Sequence, residues 1–345
     1  MTDTDVVVIG GGVMGTAAAW SLARRGREVV LLEQFELGHT RGSSHGTARI
    51  FRFSYHDPTF VGLAMEALPL WRELERESGR ELLTTTGGLD FGEMLNTHVG
   101  ALQTLGADFE VIDGAETERR FPFLSIPAGE PVLFQPDAGI VAADASVRAF
   151  ADSASARGVE VRERTRAMRL RAEGEEAVIE TDDGHVRARV AVVTAGAWAK
   201  PLLAGAGIGI PTTPTRETVA YFHIPEGVVP PSMVDWSKPA IYALFSPPTS
   251  WKVAEHHAGP VTAPDDVGVV SQESVSHTSA WVAGRFPEAD PSPHHAETCV
   301  YTNTPNEDFI LERRGPIVIG SPCSGHGFKF APAIGERLAD LAASA

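Results

Sequence analysis

The feature that most constrains this chain is a glycine pattern set directly after an apolar run near its start. Residues 6–9 are Val-Val-Val-Ile, and Gly10-Gly11-Gly12-Val13-Met14-Gly15 follows, fitting G-x-G-x-x-G. An unbroken apolar run of that length suits a strand buried on both faces. Residues 13–25 read as a helix with Ala17, Ala18 and Ala19 small enough for close packing, and Gly26 stops it. Residues 29–32 form a second buried strand that ends at Glu33. Each glycine in such a strand–helix–strand unit has a steric task. Gly10 permits the tight turn, Gly12 lets backbone approach a pyrophosphate, and Gly15 lets the helix pack on the strand. The free N–H groups of the helix start, here Val13 and Met14, then face the phosphates. Glu33 stands where a carboxylate accepts from ribose hydroxyls, which favours FAD or NAD over NADP. A chance glycine turn is the competing explanation. The strand, helix, strand and acid around the glycines argue against it.

Composition narrows the rest. At 345 residues the chain exceeds one simple core, so two domains are expected. A net charge of −16 argues against a nucleic-acid groove or an anionic membrane surface, both of which need clustered cations. No apolar run approaches the roughly 18 residues of a membrane span. The start of the chain lacks the positive charge and long apolar stretch of a secretory signal, so a soluble cytoplasmic protein is expected. The two cysteines, Cys299 and Cys323, are too few for a disulfide scaffold and form no C-x-x-C pair. The pairs His256-His257 and His294-His295 lack the i, i+4 spacing and the accompanying acid of H-E-x-x-H, so no metal site is expected.

Further along, residues 58–77 read as an amphipathic helix kinked at Pro69, residues 146–157 as a helix, and residues 159–193 as a β-meander turning at Asp182-Asp183-Gly184. Alternation at Val219-Ala220-Tyr221-Phe222 and Ile241-Tyr242-Ala243-Leu244-Phe245 predicts an antiparallel sheet. The expected fold is α/β with two domains. A Rossmann-like, discontinuous FAD-binding domain takes residues 1–80, 140–212 and 306–345; a substrate domain on a mixed or antiparallel sheet takes 81–139 and 213–305. Two more small-residue turns, at residues 194–198 and 324–330, join the first glycine loop. Three loops around one cofactor suit the long FAD molecule better than NAD, and no second G-x-G-x-x-G is present for NAD(P)H.

Several separate motifs together resemble the monomeric sarcosine oxidase and N-methyltryptophan oxidase group of the glycine and D-amino-acid oxidase superfamily. They are the glycine fingerprint, the stretch Gly42-Ser43-Ser44-His45-Gly46-Thr47-Ala48-Arg49-Ile50-Phe51-Arg52, Thr194-Ala195-Gly196-Ala197-Trp198, Lys252 with His256, Cys299-Val300-Tyr301, Asn306-Glu307-Asp308-Phe309-Ile310, and Ser324-Gly325-His326-Gly327-Phe328-Lys329-Phe330. The resemblance runs nearly end to end.

It implies a monomeric oxidase of secondary amines that uses O2 and carries FAD as a thioether on Cys299. Cofactor contacts would come from Gly10, Gly12, Val13, Met14, Gly15, Glu33, Gly42, Ser43, Ser44, Ala195, Gly196, Trp198, Gly325, Gly327, Phe328 and Lys329. Arg52 and Lys329 would hold the substrate carboxylate, with Tyr301 and His326 shaping the pocket. His256 would steer the amine, Lys252 would activate O2, and Arg49 and His45 would flank the flavin. Cys323 matches nothing and reads as packing.

Departures from the family pattern fall on the substrate side. Phe53-Ser54-Tyr55 replaces the usual His-Ala-Tyr, and Tyr242-Ala243-Leu244-Phe245 replaces paired tyrosines before a Gly-Phe-Pro turn, so one aromatic wall is expected to be missing. Sarcosine is the leading substrate. Larger N-methyl or cyclic imino acids (N-methyltryptophan, proline, pipecolate) and a flavin amine dehydrogenase with another acceptor are the alternatives.

Overall fold

The computed structural model describes residues 3–344. Its first sheet is eight-stranded and is built around Thr4–Ile9, which pairs in parallel with Val29–Leu32 on one side and Gly184–Val193 on the other. Successive residues of the central strand enter different cores. Val6 and Val8 pack beneath the first helix, Val13–Arg24, while Val7 and Ile9 pack with Leu170, Ile179 and Leu203 on the opposite face. This is why the run carries no polar alternation. The last helix, Ala331–Ala343, lies against the first. A Cβ on Gly335 would stand 2.6 Å from the Ala17 carbonyl oxygen, so the close approach needs small residues on both helices.

The second eight-stranded sheet runs His295–Asn303, Thr213–His223, Ser250–Glu255, Ile241–Ser246, Ser232–Asp235, Gly88–Phe91, Pro131–Gln135, Glu110–Asp113. Its pairings are antiparallel except that of Ser232–Asp235 with Gly88–Phe91, so the sheet is mixed. Strand periodicity decides what faces what. Trp251, Val253 and Phe222 pack with Val282 and Phe286 at helix Gln272–Arg285, whereas the intervening Lys252, Ala254 and Tyr221 face the other way. A three-stranded sheet of Ala48–Phe51, Gly139–Ala142 and Leu83–Thr85 packs there through Ala48, Ile140 and Leu244.

Three expectations change. The meander starts only at Ala167, because Glu160–Arg162 leaves it to pair in parallel with Val29–Leu32 at the edge of the first sheet. Helix Pro58–Ser78 extends one residue past Glu77 and contains Pro69 at an exposed position; Asp57 caps its start by accepting from Thr59 N–H, and Gly79 ends it at φ 67°. Ala143–Ser155 begins before Ser146. Among the described residues no helix is long and apolar enough to cross a membrane.

Candidate active site

The glycine loop behaves as its spacing predicts. Gly10 adopts φ +104°, and a Cβ there would lie 2.7 Å from the Thr194 carbonyl oxygen. A Cβ on Gly15 would come within 1.8 Å of the Gly10 oxygen, closing the strand–helix contact altogether. Glu33 is buried and accepts from Gly11 N–H (2.7 Å) and Phe35 N–H (2.8 Å), which fixes its carboxylate beside the loop. The Ser44 hydroxyl accepts from Val13 N–H at 3.0 Å, tying the second loop to the helix start.

These groups border one continuous cavity of about 700 Å³, a size typical of cofactor and ligand sites. It extends from Glu33 and Trp198 to Arg52 and Lys329. Every site residue named from sequence lines it except Gly15, which acts from behind as a spacer. A dinucleotide fits this donor set. The cradle at Gly10 and Gly12 is side-chain-free, a helix N-terminus points into it, and a buried carboxylate stands at its side.

The loop before the last helix forms the cavity floor. Ser324 and Gly325 take φ +48° and +75°, and Gly325 lies so close to Tyr301 that a Cβ would sit 2.3 Å from its ring. A Cβ on Gly327 would stand 1.7 Å from the Pro322 oxygen. Trp71 Nε1 donates to the Lys329 carbonyl at 2.8 Å and anchors the turn Phe328–Phe330. The leading N–H groups of that turn come before its first bond, Phe330 N–H to Gly327 oxygen, and lie at the floor of the cavity.

Two cations meet at one end. Lys329 Nζ donates to Tyr55 Oη (2.8 Å) and to the His326 carbonyl (2.9 Å). Burial, then the neighbouring Arg52, hold its pKa well below that of an ordinary lysine. Arg52 lies between aromatic rings, with Cζ 4.5 Å from the Tyr55 centroid and 5.2 Å from that of Trp236. Its Nη1 donates to Ser54 O (2.5 Å), Ser54 Oγ (3.1 Å) and Asp90 Oδ1 (3.2 Å). Sequence reasoning missed Asp90 and Trp236. The only local signal for Asp90 is a lone acid inside the buried strand Gly88–Phe91. Trp236 lines the cavity, and its ring meets that of His256 edge-on, as the Tyr242 ring also does.

The cavity is also lined by Lys252, which is 4% exposed and makes no hydrogen bond among the described residues. Burial, then repulsion from Arg49, push its pKa down to about 7. The two cations flank Gly46, whose built Cβ lies 3.5 Å from Arg49 Nη1 and 4.0 Å from Lys252 Nζ. Arg49 braces the loop by donating to the carbonyls of Ala48, Ser43 and His45. His45 is buried with Nε2 unpartnered, and burial, then Arg49, lower its pKa. Tyr221 was also missed; its hydroxyl donates to Glu297 at 2.5 Å, and Lys252 Nζ lies 5.9 Å from its ring centroid.

Cys299 is half-buried on strand His295–Asn303 and borders the cavity. Cys323 borders it too, with its thiol pushed up to about 11 by burial. The His256 ring packs 4.0 Å from His257 and 5.9 Å from Tyr301, and burial, then His257, hold it well below the usual histidine range. Tyr301 is raised well above the usual range by burial and then Tyr242. His326 stacks on Phe309 at 4.9 Å and donates from Nε2 to the Glu307 carbonyl oxygen at 3.2 Å. Glu307 also brings a carboxylate to the histidine pair, so His256, His257 and Glu307 offer donor atoms within 4.8 Å of one another.

The sequence matches the family model DAO, FAD dependent oxidoreductase, over residues 5–341. It is 33% identical to the peroxisomal sarcosine oxidase of Homo sapiens, covering 98% of this chain and 91% of that protein. It is 31% identical to the monomeric sarcosine oxidase of Bacillus sp. (strain B-0618), covering 99% and 92%. Among solved structures it resembles NikD, described as an unusual amino acid oxidase essential for nikkomycin biosynthesis, with TM-score 0.88, 26% identity and coverage of 100% and 95%. An L-proline dehydrogenase from P. horikoshii shares the fold at TM-score 0.88 and 24% identity, covering 99% and 93%.

Proposed function

Because the chain belongs to the FAD dependent oxidoreductase family, alongside the sarcosine oxidases, we propose that it oxidatively demethylates an N-methyl amino acid. Sarcosine is the substrate we assign, with glycine, formaldehyde and hydrogen peroxide as products. The observation that carries this reading is the buried pair Arg52 and Lys329 at one end of a cofactor-sized cavity whose other walls present Lys252 and Cys299.

FAD, when bound, supplies the two-electron acceptor that takes a hydride equivalent from the N-methyl carbon and passes the electrons to O2. The chain's own groups would do the rest. Gly10, Gly12, Val13 and Met14 hold the pyrophosphate, with Gly15 keeping the helix in place, and Glu33 accepts from the ribose. Gly42, Ser43, Ser44, Ala195, Gly196, Trp198, Gly325, Gly327 and Phe328 enclose the remainder, and Cys299 provides the thioether. Arg52 and Lys329 clamp the carboxylate, Arg through a planar fork and Lys as a point charge. His256, kept neutral by burial, leaves the amine free to bind in its uncharged form. Tyr301 and His326 close the pocket around it. N–H groups at the floor loop and final helix stabilise negative charge at the cofactor. Lys252, Arg49 and His45 place cationic or donor groups where electrons pass to oxygen.

Peroxide release from a panel of N-methyl and cyclic imino acids tests the activity, and no turnover of any secondary amine refutes it. Oxygen uptake separates an oxidase from a dehydrogenase. Acid-precipitated protein that stays yellow supports the thioether. We infer a monomer in the cytoplasm, in line with the relatives that are named monomeric. We also infer the discontinuous division into 1–80, 140–212 and 306–345 against 81–139 and 213–305. The two large sheets draw their strands largely from those respective stretches.

A further inference from the structure

Asp90 lies behind Arg52, outside the cavity lining, and is 2% exposed. Its carboxylate accepts three hydrogen bonds: Arg52 Nη1 at 3.2 Å and Trp236 Nε1 at 3.0 Å on Oδ1, and Ser54 Oγ at 2.6 Å on Oδ2. The buried His98 brings Nδ1 to 4.0 Å from Oδ1 without a hydrogen bond, and burial pushes its pKa down to about 4, so it is neutral. Arg52 is therefore the cation in direct hydrogen-bond contact with Asp90 among the described residues, and Lys329 feels the same carboxylate at longer range. The bonds from Arg52 to Asp90 and Ser54 all use Nη1.

We propose that Asp90 is a positioning and specificity residue. It anchors Arg52 by one nitrogen, leaves the rest of the fork to the ligand, and cancels one of the two positive charges that meet there. The Arg52–Lys329 site then suits a single carboxylate and disfavours a second. The same Oδ1 holds the Trp236 indole as cavity wall, so one carboxylate sets both the charge and the shape of this end. This rests on reading Arg52 and Lys329 as the carboxylate site.

Two substitutions separate charge from geometry. Asp90→Asn can keep a carbonyl oxygen at the Oδ1 position for Arg52 and Trp236, and an amide for Ser54 Oγ, so it removes mainly the charge. Asp90→Ala removes the anchor as well. Flavin absorbance reports binding of methoxyacetate, a non-oxidisable ether analogue of sarcosine, to the holoenzyme at mildly acidic pH, where Lys329 best keeps its proton. Asp90→Asn should bind methoxyacetate roughly five- to tenfold more tightly, as an added unit of positive charge a few ångströms away requires. Asp90→Ala should bind it roughly tenfold more weakly, because Arg52 is released. KM for sarcosine should move with these constants while kcat stays within about twofold, and in Asp90→Asn, which keeps the acceptor for the Trp236 indole, KM for carboxylate-free dimethylamine should stay unchanged. Iminodiacetate should gain more than methoxyacetate in Asp90→Asn. Should Asp90→Ala lose its flavin, Ser54→Ala is the substitute; it drops the Oδ2 bond and should weaken methoxyacetate roughly threefold. Weaker binding in both Asp90 variants, or a parallel shift for dimethylamine in Asp90→Asn, overturns the proposal. Methoxyacetate failing to bind the natural holoenzyme overturns it together with the carboxylate site. If sarcosine is not turned over but methoxyacetate binds, the activity assignment fails and the titration still decides the role of Asp90.

Discussion

Replacing Lys252 by methionine should make the protein more stable and its reaction with oxygen slower. Lys252 Nζ is buried and makes no hydrogen bond among the described residues, so an apolar side chain of similar length loses little. Its pKa falls from 10.5 to about 7, chiefly through burial. At about 1.4 kcal/mol per unit, holding the charged form in the fold costs on the order of 4 kcal/mol at neutral pH, an upper bound set by how far the site relaxes. The sign follows from proton counts. Between pH 7 and 10.5 the unfolded chain keeps a proton that the folded chain has lost, so the natural protein gains stability as pH rises through that window. The methionine variant lacks this dependence. Urea unfolding of the apoprotein across that window should show a gain of at least about 2 kcal/mol at pH 7, shrinking toward pH 10.5. The rate of flavin reoxidation by O2, followed by stopped flow, should drop roughly a hundredfold or more, since a nearby unit charge contributes several kcal/mol in a low-dielectric site. In the natural chain that rate should fall as pH rises past the lysine's pKa, which negative charge in the cavity displaces upward. Unchanged stability together with an unchanged reoxidation rate would refute the role given to this side chain.

Three further outcomes follow from single contacts. Cys299→Ala should release its flavin into the supernatant on acid precipitation, while the natural chain keeps it in the pellet; free flavin from the natural chain counts against the bond. Gly15→Ala should cost at least about 3 kcal/mol and most cofactor binding, because the new Cβ starts 1.8 Å from the Gly10 oxygen; thermal unfolding with and without FAD checks this. Tyr55→Phe removes one of the two hydrogen bonds of Lys329 Nζ and should raise KM for a carboxylate substrate roughly five- to tenfold with little change in kcat.

What could be read from sequence was local in the chain. The strand, the turn at Gly10 and the helix of residues 13–24 sit next to one another, and steric exclusion at short range leaves few other conformations for that spacing. Lys252, Arg52 and Cys299 were legible as a group only because a family pattern links them. Periodicity alone places Lys252 on one face of a strand without saying what that face meets. The helix Gln272–Arg285, whose polar sequence carries no clear apolar stripe, was not foreseen at all.

The sequence by itself determined that a buried strand would feed a glycine turn and present a helix start to a dinucleotide. Tertiary structure decided which distant residues complete the site. Asp90 reaches Arg52 and Trp236 because Gly88–Phe91 pairs in parallel with Ser232–Asp235, and Tyr221 lies beside Lys252 because their strands pair in that register. A shift of one residue in either pairing would turn these side chains to the opposite face. The alternation within each strand cannot reveal its neighbour's register, which is set by the packing of both sheets around the cavity.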